Sequence, residues 1–117
     1  MNKTAIVIDD DLDSVEIFSE LLEDQNISII GKGHNGREAI DLYSEKKPDL
    51  VFLDLNMPDG TGFHAIRKIK KIDDSAKIIP VTANDDYSTL EKLKELKISD
   101  VIFKPVDMDK VINLISD

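Results

Sequence analysis

The chain has 117 residues, 41% of them apolar, and its 24 acidic and 15 basic side chains leave a formal net charge of −9. That length suits one domain burying roughly two-thirds of its unfolded surface, and the acidity disfavours nucleic-acid backbones and anionic membranes, which reward positive charge. The lack of cysteine excludes disulfides, thiol catalysis and cysteine-ligated zinc, while apolar runs of at most four residues fall far short of the ~20 that span a bilayer.

The first apolar run, Ala5–Ile8, has strand length and is cut by Asp9, so no secretion signal is expected. Val15, Phe18 and Leu22 follow at helical spacing. A second run, Ile27–Ile30, precedes a shorter stripe of Ala39, Ile40 and Tyr43. The third run, Leu50–Leu53, is followed by Ile66, Ile69 and Ile72. The fourth, Ile78–Val81, is followed by Leu90, Leu93 and Leu96. The fifth, Val101–Phe103, leads to Met108, Val111, Ile112 and Ile115. Each stripe is read as core packing.

Five strand–helix units define an α/β fold with a parallel sheet, since every connection exceeds a dozen residues. Runs one, three and four are apolar throughout, as strands covered on both faces require. Run two carries Ser28 and leads into Gly31–Lys32, and run five is short, so both suit edges. The order 2-1-3-4-5, with helices on both faces, puts runs one, three and four inside and is the order expected. The order 3-2-1-4-5 fits less well, because it exposes Leu50–Leu53 at an edge. Pro80 lacks a ladder donor, so one lost bond or a local bulge is expected in the fourth strand.

In such sheets ligands bind beyond the carboxyl ends of the strands, where the winding reverses. Asp9, Asp10 and Asp11 follow the first run, and Asp54, Leu55 and Asn56 the third. Thr82, Ala83 and Asn84 follow the fourth, and Lys104 and Pro105 the fifth. Carboxylates collected on one rim repel, so either a pKa rises or a cation sits among them. Hard oxygen donors in an incomplete cage suit Mg²⁺, with Mn²⁺ as the alternative. A cation, an ammonium, a hydroxyl and a carboxylate together can carry phosphoryl transfer. Asp11 and Asp13 are read only as a helix start.

These residues resemble the receiver domain of two-component response regulators, a flavodoxin-like fold, over the whole chain. The matching motifs are Val7-Ile8-Asp9-Asp10-Asp11, Leu53 to Gly62, Val81-Thr82-Ala83 and Phe103-Lys104-Pro105. The resemblance implies that Asp54 accepts a phosphoryl group from a histidine kinase or a histidine phosphotransfer protein. It implies that Asp10, Asp54 and the Asn56 backbone carbonyl ligate Mg²⁺, with Asp9 acting through a metal-bound water. Lys104 is expected to pair with Asp54 and then with phosphoryl oxygens, Thr82 to swing toward them, and Ala83 to leave them room. The resemblance further implies a cis Lys104–Pro105 bond, and a turn after Pro58 shaped by Gly60 and Gly62, with positive φ allowed at glycine. Asn56 and Asn84 are expected to tune dephosphorylation; neither is a general base, so self-dephosphorylation should be moderate or slow.

Three positions depart from the family pattern. Val101 stands where many receivers carry Tyr or Phe, which puts the usual signal route toward the last two helices in doubt. Pro80 and Lys97–Ile98 are read as structural variation. His34 and His64 are expected to be solvated. The expected protein is a cytoplasmic receiver spanning residues 1–117 with no output domain, either standing alone or cut from a larger protein, acting on a downstream protein as a monomer or phosphorylation-dependent dimer. A Mg²⁺-dependent phosphatase with an aspartyl-phosphate intermediate and a pseudo-receiver that only binds partners are the competing readings.

Overall fold

The computed structural model describes residues 3–59 and 61–115. Five strands and five helices alternate: β1 (Thr4–Ile8), α1 (Leu12–Glu23), β2 (Ser28–Gly33), α2 (Gly36–Lys46), β3 (Leu50–Asp54), α3 (Gly62–Ile72), β4 (Ile78–Thr82), α4 (Tyr87–Glu95), β5 (Ile102–Phe103) and α5 (Met108–Ile115). All pairings are parallel and the order is β2-β1-β3-β4-β5, the order expected from the sequence.

Side chains alternate across the sheet and feed two cores. Val51 and Leu53 join Ile6, Ile8, Ile66, Ile69 and Leu93 on the side covered by α2, α3 and α4. Leu50 and Phe52 join Val7, Val15, Leu22, Val111 and Ile115 on the side covered by α1 and α5. Each fully buried large apolar side chain stabilises the fold by ~1.5–3 kcal/mol. Phe18 of α1 meets Phe52 edge-on with centroids 5.2 Å apart, which fixes α1 over the centre of the sheet. Among the described residues no helix is long and apolar enough to cross a membrane.

The second strand differs from its sequence reading. It starts at Ser28 and runs on to Gly33, beyond the apolar run. Ile27 is drawn back to the helix end, its N–H donating to the Leu22 carbonyl. The register with β1 skips one residue, so Ile30 lies opposite none while Ile6 pairs with Gly31. A Cβ on Gly31 would come within 3.0 Å of Ile6 and Leu42 side chains; its absence lets α2 lie close to the sheet.

Pro80 is also accommodated differently. The β3–β4 register is unbroken through Leu53↔Pro80, so no bulge forms. Val51 donates to the Lys77 carbonyl and Leu55 to the Val81 carbonyl, so odd residues of β4 face β3. The nitrogen of Pro80 therefore faces the β5 side, where pairing begins only at Val81↔Ile102. The missing donor falls where there is no ladder to break. Val101 lies just before β5 and packs against the core under α2, α3 and α4.

Candidate functional site

The carboxyl ends of β1, β3, β4 and β5 bring the residues read from the sequence to one rim. Asp54 ends β3 and is only 3% exposed. Its Oδ1 lies 3.3 Å from the Lys104 ammonium and accepts the Asn56 N–H at 2.9 Å. Asp9 is half-buried beside it, with Oδ2 3.9 Å from the same ammonium and Oδ1 accepting the Asp11 N–H at 3.0 Å. Carboxylate oxygens of Asp9, Asp10 and Asp54 all lie within 4.8 Å of one another.

One ammonium does not balance this cluster. Burial, then the neighbouring Asp54 charge, push the Asp9 carboxyl up from 3.8 to about 6, against the pull of the Asp11 N–H and Lys104. Carboxylates so crowded call for a raised pKa or a cation, and burial beside Asp54 raises that of Asp9. The rim's donor set of hard, closely spaced oxygens, half open to solvent, fits the second, a small divalent cation that keeps part of its water.

Asp11 stands apart, capping α1 by accepting the N–H groups of Asp13 and Ser14 at 3.0 and 3.4 Å, as expected of a helix start. Thr82 ends β4 fully buried. Its hydroxyl donates to Asn56 Oδ1 at 3.2 Å and accepts the Asn84 N–H at 3.0 Å. The Ala83 N–H reaches the same Asn56 oxygen at 2.7 Å. Lys104 is set by its backbone, whose N–H donates to the Thr82 carbonyl at 2.9 Å, and the Lys104–Pro105 peptide is cis.

Several positions serve differently from their sequence reading. Gly62 opens α3 without a positive φ. What it supplies is space, because a Cβ there would approach the Leu55 side chain to 3.1 Å and its Cα to 3.3 Å. Pro58 is exposed in the loop before it, and Gly60 lies outside the described residues. His34 is not simply solvated: Nδ1 sits 3.2 Å from the Asp9 carbonyl, and its backbone N–H donates to Glu38 at 2.6 Å. An acceptor at that distance assigns the Nδ1 proton. No spacing rule signals this tie, because the bulged β2 brings His34 there. His64 is exposed on α3.

Beside the rim a cleft of about 280 Å³ opens between α1 and the segment after β5, with Phe18, Phe52, Val81 and Pro105 in its walls and Asp54 and Lys104 at its mouth. Ile17, Leu21 and Val106 border it and are exposed. Its apolar wall was hidden in the stripe reading, because Ile17 and Leu21 stand on the flank of α1 away from Val15 and Leu22.

The domain is thus a doubly wound parallel α/β fold with an acidic, lysine-faced rim at the carboxyl ends of its strands. Residues 5–116 match the response regulator receiver domain model. The chain belongs to the response regulator receiver domain family. The chemotaxis protein CheY of Thermotoga maritima is 31% identical over 116 residues, covering 99% of this chain and 97% of its own. Protein CcdB of Bacillus subtilis is 35% identical over 114 residues, covering 97% of this chain and 95% of its own. Among solved structures, a LuxR-family two-component response regulator from Aurantimonas superposes with a TM-score of 0.88 at 25% identity, over 97% of this chain and 81% of that one. The CheX–CheY–BeF3–Mg complex of Borrelia burgdorferi superposes with a TM-score of 0.87 at 21% identity, over 98% and 90% of the two chains, and shows the shared fold.

Proposed function

We propose that this receiver accepts a phosphoryl group on Asp54 from a phosphohistidine of a histidine kinase or phosphotransfer protein. The observation that carries this is a buried carboxylate whose Oδ1 lies 3.3 Å from the Lys104 ammonium, beside two further carboxylates. A carboxylate so placed at a strand end has no core-packing reason to be there, since its burial carries a desolvation cost that an apolar side chain would not.

In the transfer, an Asp54 oxygen attacks phosphorus as the N–P bond breaks. The electron pair of that bond returns to the donor imidazole. Lys104 pairs with the incoming oxygens, Thr82 supplies a hydroxyl, and Ala83, with only a methyl side chain, leaves room at the rim. Asp10, Asp54 and the Asn56 backbone carbonyl would hold Mg²⁺, or Mn²⁺ in its place, with Asp9 acting through its bound water. When bound, the cation offsets charge developing on the equatorial oxygens. Hydrolysis reverses the state: water oxygen attacks phosphorus, the Asp54 O–P bond breaks, and inorganic phosphate and a proton leave.

Asn56 and Asn84 offer no carboxylate to activate that water, so the phosphoryl state should persist, and Asn56→Asp or Asn84→Asp should change its decay rate. The same absence disfavours the phosphatase reading. Exposed Ile17, Leu21 and Val106 around the cleft favour a protein donor, because apolar surface there is best covered by a macromolecule. The domain is read as a cytoplasmic signalling unit without nucleic-acid or membrane partners. It performs no catalysis beyond its own phosphorylation and dephosphorylation, and its output passes to a downstream protein as monomer or phosphorylation-dependent dimer.

Acetyl phosphate with Mg²⁺ followed by intact mass measurement tests this. Addition of a single phosphoryl group, lost in Asp54→Asn and on chelation of the metal, is expected. Rapid turnover of phosphomonoesters would establish the phosphatase instead, and no adduct under any condition the pseudo-receiver.

A further inference from the structure

One side chain joins the rigid and the loose parts of the rim. The backbone N–H of Asn56 is bound to Asp54 Oδ1 at 2.9 Å. Its side-chain oxygen is the common acceptor for the Ala83 N–H at 2.7 Å and the Thr82 hydroxyl at 3.2 Å. Thr82 passes the connection on by accepting the Asn84 N–H at 3.0 Å. The start of the β4–α4 loop is therefore tied, through one carboxamide, to the residue two positions past the acceptor.

We propose that the Asn56 carboxamide is a latch that holds the β4–α4 loop in its resting position by occupying the donors a phosphoryl group on Asp54 would otherwise take. This rests on the reading of Asp54 as phosphoacceptor and adds how that event is resisted and then read. A neutral amide oxygen is a weaker acceptor than a phosphoryl oxygen, whose charge-assisted hydrogen bonds are roughly twice as strong. While Asp54 is free, the Thr82 hydroxyl and the Ala83 N–H satisfy themselves on Asn56. Once the dianion is present, both donors gain by exchanging partners, and the loop moves with them. Asn56 and Ala83 are exposed, so water can take over whichever group is released. Asn56 acts here as a positioning residue for Thr82 and Ala83.

A ligand that binds only the switched loop gains affinity by the factor with which the latch disfavoured that loop. Loss of the latch should thus tighten such a ligand, whereas loss of a structural support should weaken it. Beryllofluoride is a suitable probe, because it mimics the bound phosphoryl group and is not hydrolysed; any effect on water attack drops out. The experiment titrates Mg²⁺-beryllofluoride into wild type, Asn56→Ala and Asn56→Leu, following the Ala83 and Asn84 amide resonances. Leucine keeps the side-chain volume without the acceptor, and both variants keep the backbone carbonyl assigned to the metal.

Both variants should bind beryllofluoride about fivefold tighter, the value of one net hydrogen bond. Before any ligand is added, their Ala83 amide resonance should already be displaced toward its ligand-bound position. Equal or weaker affinity in both variants, with wild type binding normally, overturns the latch and leaves the phosphoacceptor reading intact. Absence of binding and of any phosphoryl adduct in wild type itself overturns both.

Discussion

The ends of β3 and β4 lie side by side on one rim and are held in opposite ways. Asp54 is the last residue of a strand buried along its whole length, in register with Val81, with Leu55 still bonded to the Val81 carbonyl beyond it. Thr82 is equally buried, but the residues from Ala83 to Asp86 are exposed before α4 begins, and the first of them is tied back by Asn56 Oδ1. Beyond β3 the chain stays on the sheet through Leu55, whereas beyond Thr82, itself paired with Phe103, the chain is held by a side chain. A receiver needs this asymmetry: the attacked carboxylate must stay aligned, while the group that reports the attack must be free to move.

The asymmetry is broken most severely at Lys104, which is tied to the end of β4 by its backbone and to Asp54 at the end of β3 by its ammonium. Lys104→Ala removes the cation 3.3 Å from Asp54 Oδ1. The rate of phosphoryl addition from acetyl phosphate should fall by about 10²-fold or more, as for loss of one preorganised group facing developing charge. A rate within a few-fold of wild type would remove Lys104 from the account.

The acidic half carries a cost visible in pH. Folding raises Asp9 from 3.8 to about 6, so between these values the folded chain retains a proton the unfolded chain has lost. In metal-free buffer stability should fall as pH rises through that window, and stay lowered above it. Asp9→Asn should therefore gain on the order of 1 kcal/mol at neutral pH, the electrostatic figure being reduced by solvent screening. The gain should vanish below the unfolded value of 3.8. Urea titrations at several pH values with chelator read this, and a gain independent of pH would contradict it.

Two smaller changes separate scaffold strength from loop behaviour. The Ser19 hydroxyl is buried on α1 with no hydrogen-bond partner among the described residues. Ser19→Ala should raise stability by about 1 kcal/mol, because it removes an unsatisfied group, and leave beryllofluoride affinity unchanged. Lys97, just past α4, has φ of 61°, a conformation that glycine adopts without strain. Lys97→Gly should raise stability by roughly 0.5 kcal/mol in chemical denaturation. A loss in either case would show that the side chain makes a contribution its surroundings do not reveal.

The strands, their order and the rim were legible because apolar runs and the residues after them are consecutive in the chain. Asp9, Asp10, Asp54, Thr82 and Lys104 each follow a run, so parallel topology alone collects them. What escaped the sequence depends on backbone path. The Gly31–Lys32–Gly33 half of β2 has no apolar signature, yet it completes the ladder beside Ile6–Ile8. Pro80 looked disruptive until the direction of each N–H in β4 was known. Gly62 invited a turn and instead supplies clearance. The side-chain tie from Asn56 to Thr82 and Ala83, like that from His34 to the Asp9 carbonyl, joins residues whose separation carries no periodic signal.

The central claim, that the carboxylate fixed at the end of β3 is the one that captures phosphorus, is tested most directly by locating the adduct. Protein treated with acetyl phosphate and Mg²⁺ is reduced with borohydride, which converts an aspartyl phosphate to homoserine, and the peptides are sequenced by mass spectrometry. Conversion at residue 54 and at no other acidic position is the predicted result. Conversion at residue 9 or 10, or spread over several carboxylates, would contradict the account.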